Sequence, residues 1–131
     1  MDNINTIGFI GAGIMGQGMV QNLLKTGNKV NIIANKNRRP IEELVALGAS
    51  EMMSLNDMAN SCNCFILCLP SSKTAMSVCD ALFPLLSPKT LVIDCTTNQL
   101  VTVKNLEKKA KAANLRYAEA PLTGGQQQSL E

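Results

Sequence analysis

The chain has 131 residues, of which 46% are hydrophobic and 17% charged, and its formal net charge is +2. This length suits one domain with a real core, and the small net charge gives no reason to expect nucleic acid or an anionic membrane as a partner. No apolar run approaches the roughly 18 residues that span a bilayer. A strand is predicted within a few residues of Met1, which leaves no room for a signal peptide, so we expect a cytoplasmic protein.

The first predicted element is the apolar strand Thr6–Ile10, which leads into the sequence GAGIMG and then into a helix over Met15–Thr26. Gly11 permits a tight turn, and Gly13, without a Cβ, lets a pyrophosphate approach the backbone. Gly16 lets the helix pack closely on the strand, and the helix N-terminus attracts phosphate. The pattern predicts a dinucleotide site; the alternative is a strand–helix turn that binds nothing.

The rest of the chain alternates between strands and helices. Gly27 and Asn28 end the first helix, Pro40 is expected as the first residue of the second, and Ser54 is expected to cap the third. Pro70 is expected to end a continuous apolar strand that is buried on both faces. The predicted strands are Lys29–Ala34, Ala49–Met52, Cys64–Leu69, Thr90–Cys95 and Leu115–Ala118, and the predicted helices are Ile41–Leu47, Leu55–Asn60, Thr74–Leu86 and Leu100–Ala113.

Strict alternation of strands and helices predicts an α/β fold with an open, doubly wound, mostly parallel sheet. In such sheets a ligand lies in the crevice beyond the carboxyl ends of the strands. Those ends are residues 11–16, 35–39, 69–73, 95–98 and 119–125, and the chemically suggestive residues of the chain fall there.

The loop after the second strand bears on the choice of cofactor. Enzymes that prefer NAD place Asp or Glu at this position to bind the ribose 2′-hydroxyl. Here no acidic residue occurs between Asp2 and Glu42, whereas Lys36, Arg38 and Arg39 crowd the loop. Such cations would attract a 2′-phosphate, so the sequence favours NADP, with NAD as a second choice. The alternative is a solvated basic loop.

The cysteines and the missing histidines limit the chemistry. The five cysteines are an odd number without a disulfide spacing, and two of them fall inside the apolar fourth strand, where free cysteine behaves as a small hydrophobe. With no histidine in the chain, we expect no metal site. Proton transfer must then use Lys, Asp, Glu, Tyr, a hydroxyl or the cofactor. The cysteines are Cys62, Cys64, Cys68, Cys79 and Cys95.

The residues resemble the β-hydroxyacid dehydrogenases, a family that includes 3-hydroxyisobutyrate dehydrogenase, glyoxylate/succinic semialdehyde reductase and 6-phosphogluconate dehydrogenase. The stretch from Gly8 to Gly16, with Met19, Asn22 and Leu23, resembles the family signature GxGxMGxxMxxNL. The resemblance implies a Rossmann domain, a homo-oligomeric full-length protein and a phosphate-binding segment. That segment comprises Gly11, Ala12, Gly13, Ile14, Met15 and Gly16.

Four further segments carry the same resemblance. Residues 35–37 are similar to the family's Asn-Arg-Thr, which holds the adenosine 2′-phosphate. Residues 69–70 are similar to the Leu-Pro that packs against the cofactor. Residues 94–97 resemble Asp-x-Ser-Thr, which implies a threonine beside the nicotinamide ribose. Residues 119–125 resemble Asp-Ala-Pro-Val-Ser-Gly-Gly, whose last three residues hold the substrate carboxylate. The implied residues are Asn35, Lys36 and Asn37; Leu69 and Pro70; Thr97; and Thr123, Gly124 and Gly125.

The resemblance implies hydride transfer between nicotinamide and a short 3-hydroxy acid or its semialdehyde. Glu119 and Thr123 depart from the family's Asp and Ser. The family's catalytic lysine lies in a later helical domain, beyond Glu131, so we expect no catalytic residue in this chain, an incomplete nucleotide domain that is inert alone, and self-association. Leu130 and Glu131 are either native or a cloning remnant, and Lys73 is interpreted as an exposed loop residue. The alternatives are a non-catalytic dinucleotide-binding module and an imine reductase-like enzyme.

Overall fold

The fold alternates strands and helices along the whole described chain. The computed structural model describes residues 6–11, 13–34 and 38–121, with the exception of the side chain of Ile14. The strands are β1 (Thr6–Ile10), β2 (Lys29–Ile33), β3 (Ser50–Met52), β4 (Cys64–Leu67), β5 (Leu91–Asp94) and β6 (Arg116–Glu119). The helices are α1 (Ile14–Lys25), α2 (Arg39–Ala46), α3 (Leu55–Ser61), α4 (Ser72–Leu82) and α5 (Leu100–Ala112), with a 3₁₀ turn at Phe83–Leu85.

The six strands form one parallel sheet in the order β3-β2-β1-β4-β5-β6. The chain runs outward from β1 in one direction and, after crossing back, from β4 in the other. The strand order therefore reverses between β1 and β4, and a crevice opens there at the carboxyl ends of the strands. The predicted doubly wound Rossmann sheet is confirmed.

Two hydrophobic cores cover the two faces of the sheet. Val20 of α1 and Leu44 of α2 pack with Phe9 and Ile32 on one face. On the other face, side chains of α3, α4 and α5 pack with Phe65 and other residues of the sheet. All four residues of β4 are buried, as expected for a central parallel strand covered on both sides.

Local sequence signals account for several element ends. Gly27 and Gly48 follow α1 and α2 with φ angles of +88° and +116°, which favour glycine. The hydroxyl of Ser54 accepts a hydrogen bond from the Asp57 N–H at 3.1 Å, so the predicted cap of α3 is confirmed. Pro40 is the second residue of α2, after Arg39, and not the first.

Three of the predicted boundaries, at the end of the fourth strand and at both ends of the fourth helix, differ from the structure by two to four residues. The fourth strand ends at Leu67, two residues early, because the Leu69 N–H donates to a side chain on the next loop instead of to a strand. Helix α4 begins at Ser72, capped by Ser71, and not at Thr74. It stops at Leu82 because Pro84 lacks an N–H and cannot continue an α-helix.

The last strand is also displaced from its prediction by one residue. It runs from Arg116 to Glu119, whereas Leu115 is a buried core residue before the strand begins. Helix α5 places Lys104, Lys108 and Lys111 at exposed positions, as expected for a solvated face. Among the described residues, no helix is both long enough and apolar enough to cross a membrane.

Candidate functional site

The turn between β1 and α1 contains two glycines, Gly11 and Gly16, that no residue with a Cβ could replace without moving the surrounding backbone. Gly11 has φ +107°, and a Cβ there would lie 2.1 Å from the carbonyl oxygen of Cys68 on the neighbouring strand's extension. A Cβ on Gly16 would lie 2.2 Å from the Gly11 carbonyl oxygen. The predicted roles of these two glycines in the turn and in helix packing are therefore confirmed.

Gly13 differs from both, because a Cβ there would meet nothing within 4 Å. Its N–H donates to the Gly11 carbonyl oxygen at 2.9 Å, and the residue is exposed at the N-cap of α1. The space that a side chain would fill is thus open. Ala12 lies outside the described residues.

The N-terminus of α1 is suited to an anion. The first N–H groups of a helix have no intrahelical partner, and they carry the positive end of the helix dipole. Gly13 provides no side-chain cap here, and the first turn contains no acidic residue. The open cradle and the uncapped helix end together fit the pyrophosphate of a dinucleotide.

The basic loop after β2 is partly neutralised. Both terminal nitrogens of the Arg38 guanidinium donate to the Glu51 carboxylate, each at 2.9 Å, and Arg39 donates to Glu43 at 3.2 Å. The Arg38 guanidinium holds the pKa of Glu51 below its ordinary value. Each arginine thus has a carboxylate partner, which offsets part of the positive charge of the loop. Residues 35–37, with the predicted Asn35, Lys36 and Asn37, lie outside the described residues.

The most polar part of the crevice surrounds Asp94, the last residue of β5, whose surface is fully buried. Its carboxylate accepts hydrogen bonds from the Thr96 N–H at 3.0 Å, the Asn98 amide at 2.8 Å and the Tyr117 hydroxyl at 2.8 Å. Each of these donors is neutral, and no ion pair of Asp94 occurs in the described part of the chain. Among the described residues, this buried carboxylate is therefore held by hydrogen bonds alone.

The hydrogen bonds continue from this carboxylate to the neighbouring elements. The Thr96 hydroxyl accepts from the Leu69 N–H at 3.0 Å, just beyond β4. The Asn98 side-chain oxygen accepts from the Ser72 hydroxyl at 3.2 Å, and that hydroxyl accepts from the Gln99 N–H at 2.9 Å. The ends of β4 and β5 and the starts of α4 and α5 are thus joined in one network.

Tyr117 reaches this network from β6. Burial and the nearby Asp94 carboxylate raise the pKa of its hydroxyl above the ordinary value, so the phenol stays protonated and donates. Its ring also makes an edge contact with Phe83, with the ring centroids 6.5 Å apart.

Sequence reasoning missed Asn98, Ser72 and Tyr117, and it assigned no role to Asp94. An acidic residue that ends an otherwise apolar strand was the available signal. A buried carboxylate needs several donors, and these come from residues that only the fold brings together.

The other predicted positions lie at the same edge of the sheet. Leu69 packs partly buried against the core, whereas Pro70 and Thr97 are exposed. Glu119 is the exposed last residue of β6. The predicted substrate-binding residues Thr123, Gly124 and Gly125 lie outside the described residues. Lys73 is exposed, as expected, but it lies in the first turn of α4 and not in a loop.

The cysteines do not form a reactive site. All five are free thiols. Burial raises the pKa of Cys79 to about 12 and that of Cys95 to about 11, and it also raises the pKa of the other three thiols. Thiols in this state are poor nucleophiles. No group of three or more His, Cys, Asp or Glu side chains in the described ranges could hold a metal ion.

Comparisons with known proteins agree with this geometry. The family model described as the NAD binding domain of 6-phosphogluconate dehydrogenase matches residues 6–131. The chain is 33% identical over 122 residues to the NAD-dependent L-serine dehydrogenase of Pseudomonas aeruginosa, covering 91% of this chain and 41% of that protein. It is 31% identical over 124 residues to the mitochondrial 3-hydroxyisobutyrate dehydrogenase of Drosophila melanogaster, covering 91% of this chain and 37% of that protein.

Solved structures show the same fold. A Mycobacterium tuberculosis 3-hydroxyisobutyrate dehydrogenase with L-serine superimposes with a TM-score of 0.91 at 23% identity, covering 98% of this chain and 44% of that one. A protein named Psf3, in complex with NADP⁺ and 2-OPP, superimposes with a TM-score of 0.89 at 25% identity, covering 95% of this chain and 45% of that one. The chain therefore spans less than half the length of these proteins.

Proposed function

The chain belongs to the family of the NAD binding domain of 6-phosphogluconate dehydrogenase, and we propose that it is the cofactor-binding part of an oxidoreductase of the 3-hydroxyisobutyrate dehydrogenase type. Such an enzyme transfers hydride between nicotinamide and a short 3-hydroxy acid or its semialdehyde. The observation that carries the proposal is the open glycine cradle at Gly13, which follows β1 at the point where the strand order reverses. Sequence relatives that are dehydrogenases support the reaction class.

In this proposal the residues of the chain bind and orient, and the nicotinamide, when bound, accepts or supplies the hydride. The segment Gly11–Gly16 binds the pyrophosphate through backbone N–H groups. Leu69 and Pro70 pack against the cofactor, and Thr97 lies beside the nicotinamide ribose. The segment Thr123–Gly125 holds the substrate carboxylate.

We assign proton transfer to a lysine outside residues 1–131, in a second, all-helical domain. In the described crevice, Asp94 is buried and already accepts three hydrogen bonds, and Lys73 is exposed. Neither is placed as a general acid for a bound hydroxyl. We also propose a homo-oligomeric full-length protein in the cytoplasm, where free buried thiols such as these five persist.

The same observation on Asp94 and Lys73 favours one alternative, a dinucleotide-binding module without catalysis. The two functions are separated by assaying the protein encoded by the whole reading frame against short semialdehydes with NADPH. Substrate-dependent oxidation of NADPH supports the dehydrogenase, whereas cofactor binding without turnover supports the module.

Binding of the cofactor is tested with Gly13→Ala. The new methyl group has free space in the protein itself, and the φ angle of −83° is allowed for alanine, so stability should be unchanged. A pyrophosphate that approaches the backbone would meet this methyl group. We expect the affinity for NADPH, measured by calorimetry, to fall by about tenfold or more, which corresponds to about 1.4 kcal/mol.

The matched control is Gly27→Ala, at the other end of α1. Its φ angle is +88° with nothing within 4 Å of the new Cβ, so it should lower stability by about 1 kcal/mol and leave NADPH affinity unchanged. Equal affinity of the wild type and Gly13→Ala would contradict the cradle. A wild-type chain that binds neither NADPH nor NADH would overturn the proposed function.

We further propose a preference for NADP and assign the 2′-phosphate contact to Lys36 instead of Arg38. The Arg38 guanidinium is engaged by Glu51 through two hydrogen bonds, whereas the sequence places Lys36 where the family's phosphate-binding arginine stands. A charge-assisted contact contributes ~1.5–3 kcal/mol, so Lys36→Ala should weaken NADPH binding about 10- to 150-fold and leave NADH binding nearly unchanged.

Arg38→Ala is the comparison variant for this preference. Because its charge is already paired, we expect it to change NADPH affinity by less than about threefold, which is less than ~1 kcal/mol. Equal losses of NADPH and NADH affinity in Lys36→Ala would refute the contact with the 2′-phosphate. A larger selective loss in Arg38→Ala would move the assignment to that residue.

A further inference from the structure

The carboxylate of Asp94 is fully buried and accepts three hydrogen bonds. Burial of an unpaired carboxylate is costly. Here three hydrogen-bond donors offset that cost, and no cation among the described residues pairs with the carboxylate. An asparagine has one acceptor oxygen and a donating NH₂ group, so it cannot accept from all three donors. The arrangement therefore depends on the two acceptor oxygens of a carboxylate at this position.

Two of the three hydrogen bonds close a turn around one residue. The carboxylate accepts from Thr96, two residues on, and from Asn98, four residues on. Thr97 lies between them and is exposed at the carboxyl edge of the sheet. The conformation of this loop is thus fixed from both sides of Thr97 by a single buried group.

The same carboxylate also acts at a distance on the other crevice loops. Through Thr96 it positions the Leu69 N–H after β4, and through Asn98 it positions Ser72, the first residue of α4. Tyr117 links it to β6, the strand that leads to the predicted substrate segment. The loop after β4, the start of α4 and β6 are therefore all linked to one carboxylate.

We propose that Asp94 is a positioning residue whose buried carboxylate holds Thr97 and the loop after β4 in place for the nicotinamide half of the cofactor. This inference rests on the proposed function, because it requires that the crevice bind a dinucleotide. It concerns the nicotinamide half alone, since the adenosine half is assigned to the other side of the crevice, after β2.

The test compares the affinities of the wild type and Asp94→Asn for NADPH and for adenosine 2′,5′-bisphosphate, which lacks the nicotinamide half. At least one donor loses its acceptor in the variant. We expect NADPH affinity to fall about 10- to 100-fold, as for a hydrogen bond to a charged group, and the bisphosphate to bind as before. A general loss of structure would weaken both ligands, so this split separates positioning from stability.

The control is Val92→Ala, which removes buried side-chain volume from the same strand two residues earlier, on the same face of the sheet. It should lower the unfolding temperature and leave both affinities within about twofold of the wild type. Tyr117 supplies a second readout, since it is the only tyrosine of a chain without tryptophan. Its ionisation, followed by absorbance, should begin at lower pH in Asp94→Asn than in the wild type, because the Asp94 carboxylate no longer raises the pKa of the hydroxyl.

Each outcome decides the matter. If Asp94→Asn does not fold, Asn98→Ala is measured instead, because it keeps the carboxylate and two of its donors. It should lower the affinity for NADPH by a smaller factor and leave the affinity for the bisphosphate unchanged. Equal losses for both ligands, or no loss of NADPH affinity, in the folded variant would overturn the positioning role. A wild type that binds neither ligand would instead overturn the proposed function itself.

Discussion

Gly11→Ala is expected to lower the free energy of unfolding by about 3–5 kcal/mol. Two independent effects add here. The φ angle of +107° is strained for any residue with a Cβ, and the new methyl carbon would lie 2.1 Å from the backbone oxygen of Cys68. Backbone cannot rotate away as a side chain can, so β1 and β4 would have to separate at the edge where the crevice opens.

Chemical denaturation of Gly11→Ala and Gly27→Ala, measured side by side, tests this expectation. Both positions have positive φ angles, but only Gly11 has a backbone neighbour in the way. The difference between the two losses therefore measures the clash, and the loss at Gly27 measures the strain alone. Equal losses would show that the sheet edge yields and that the close approach at Gly11 contributes nothing.

Phe65→Ala is expected to destabilise the domain by about 3–5 kcal/mol, a large part of the ~5–15 kcal/mol that holds a typical domain folded. Phe65 is fully buried in the central strand β4. Its ring fills space beside Gly8 of β1, where an ideal Cβ would lie 2.8 Å from the ring carbon Cε1. Removal of the ring leaves a cavity that the closely packed sheet can only partly fill.

A double-mutant cycle with Gly8→Ala tests the cause of this loss. Gly8→Ala alone should destabilise because its methyl group meets the Phe65 ring. In the Phe65→Ala background that obstacle is gone, so the cost of Gly8→Ala should shrink or change sign, giving a coupling of about 1 kcal/mol or more. Additive losses would mean that the ring and Gly8 do not pack as the structure has them.

The sequence determined the order of the elements and the place of the crevice. The strand Thr6–Ile10, the start of α1 and the cap at Ser54 follow from signals that lie within a few residues of each other. The buried character of β4 follows from four consecutive apolar residues. Such features can be predicted because hydrophobic period, glycine conformation and capping act locally.

The tertiary structure decided which charges are paired and where the polar network lies. Arg38 meets Glu51, 13 residues away, and so loses part of its attraction for a phosphate. Asp94 meets Tyr117, 23 residues away, on a strand that lies beside β5 only once the sheet has formed. Partners at such separations are chosen by strand order and register, which no local pattern encodes. The sequence thus predicted the edge of the sheet at which we propose that a dinucleotide binds, and the fold alone decided which donors surround the buried Asp94 carboxylate.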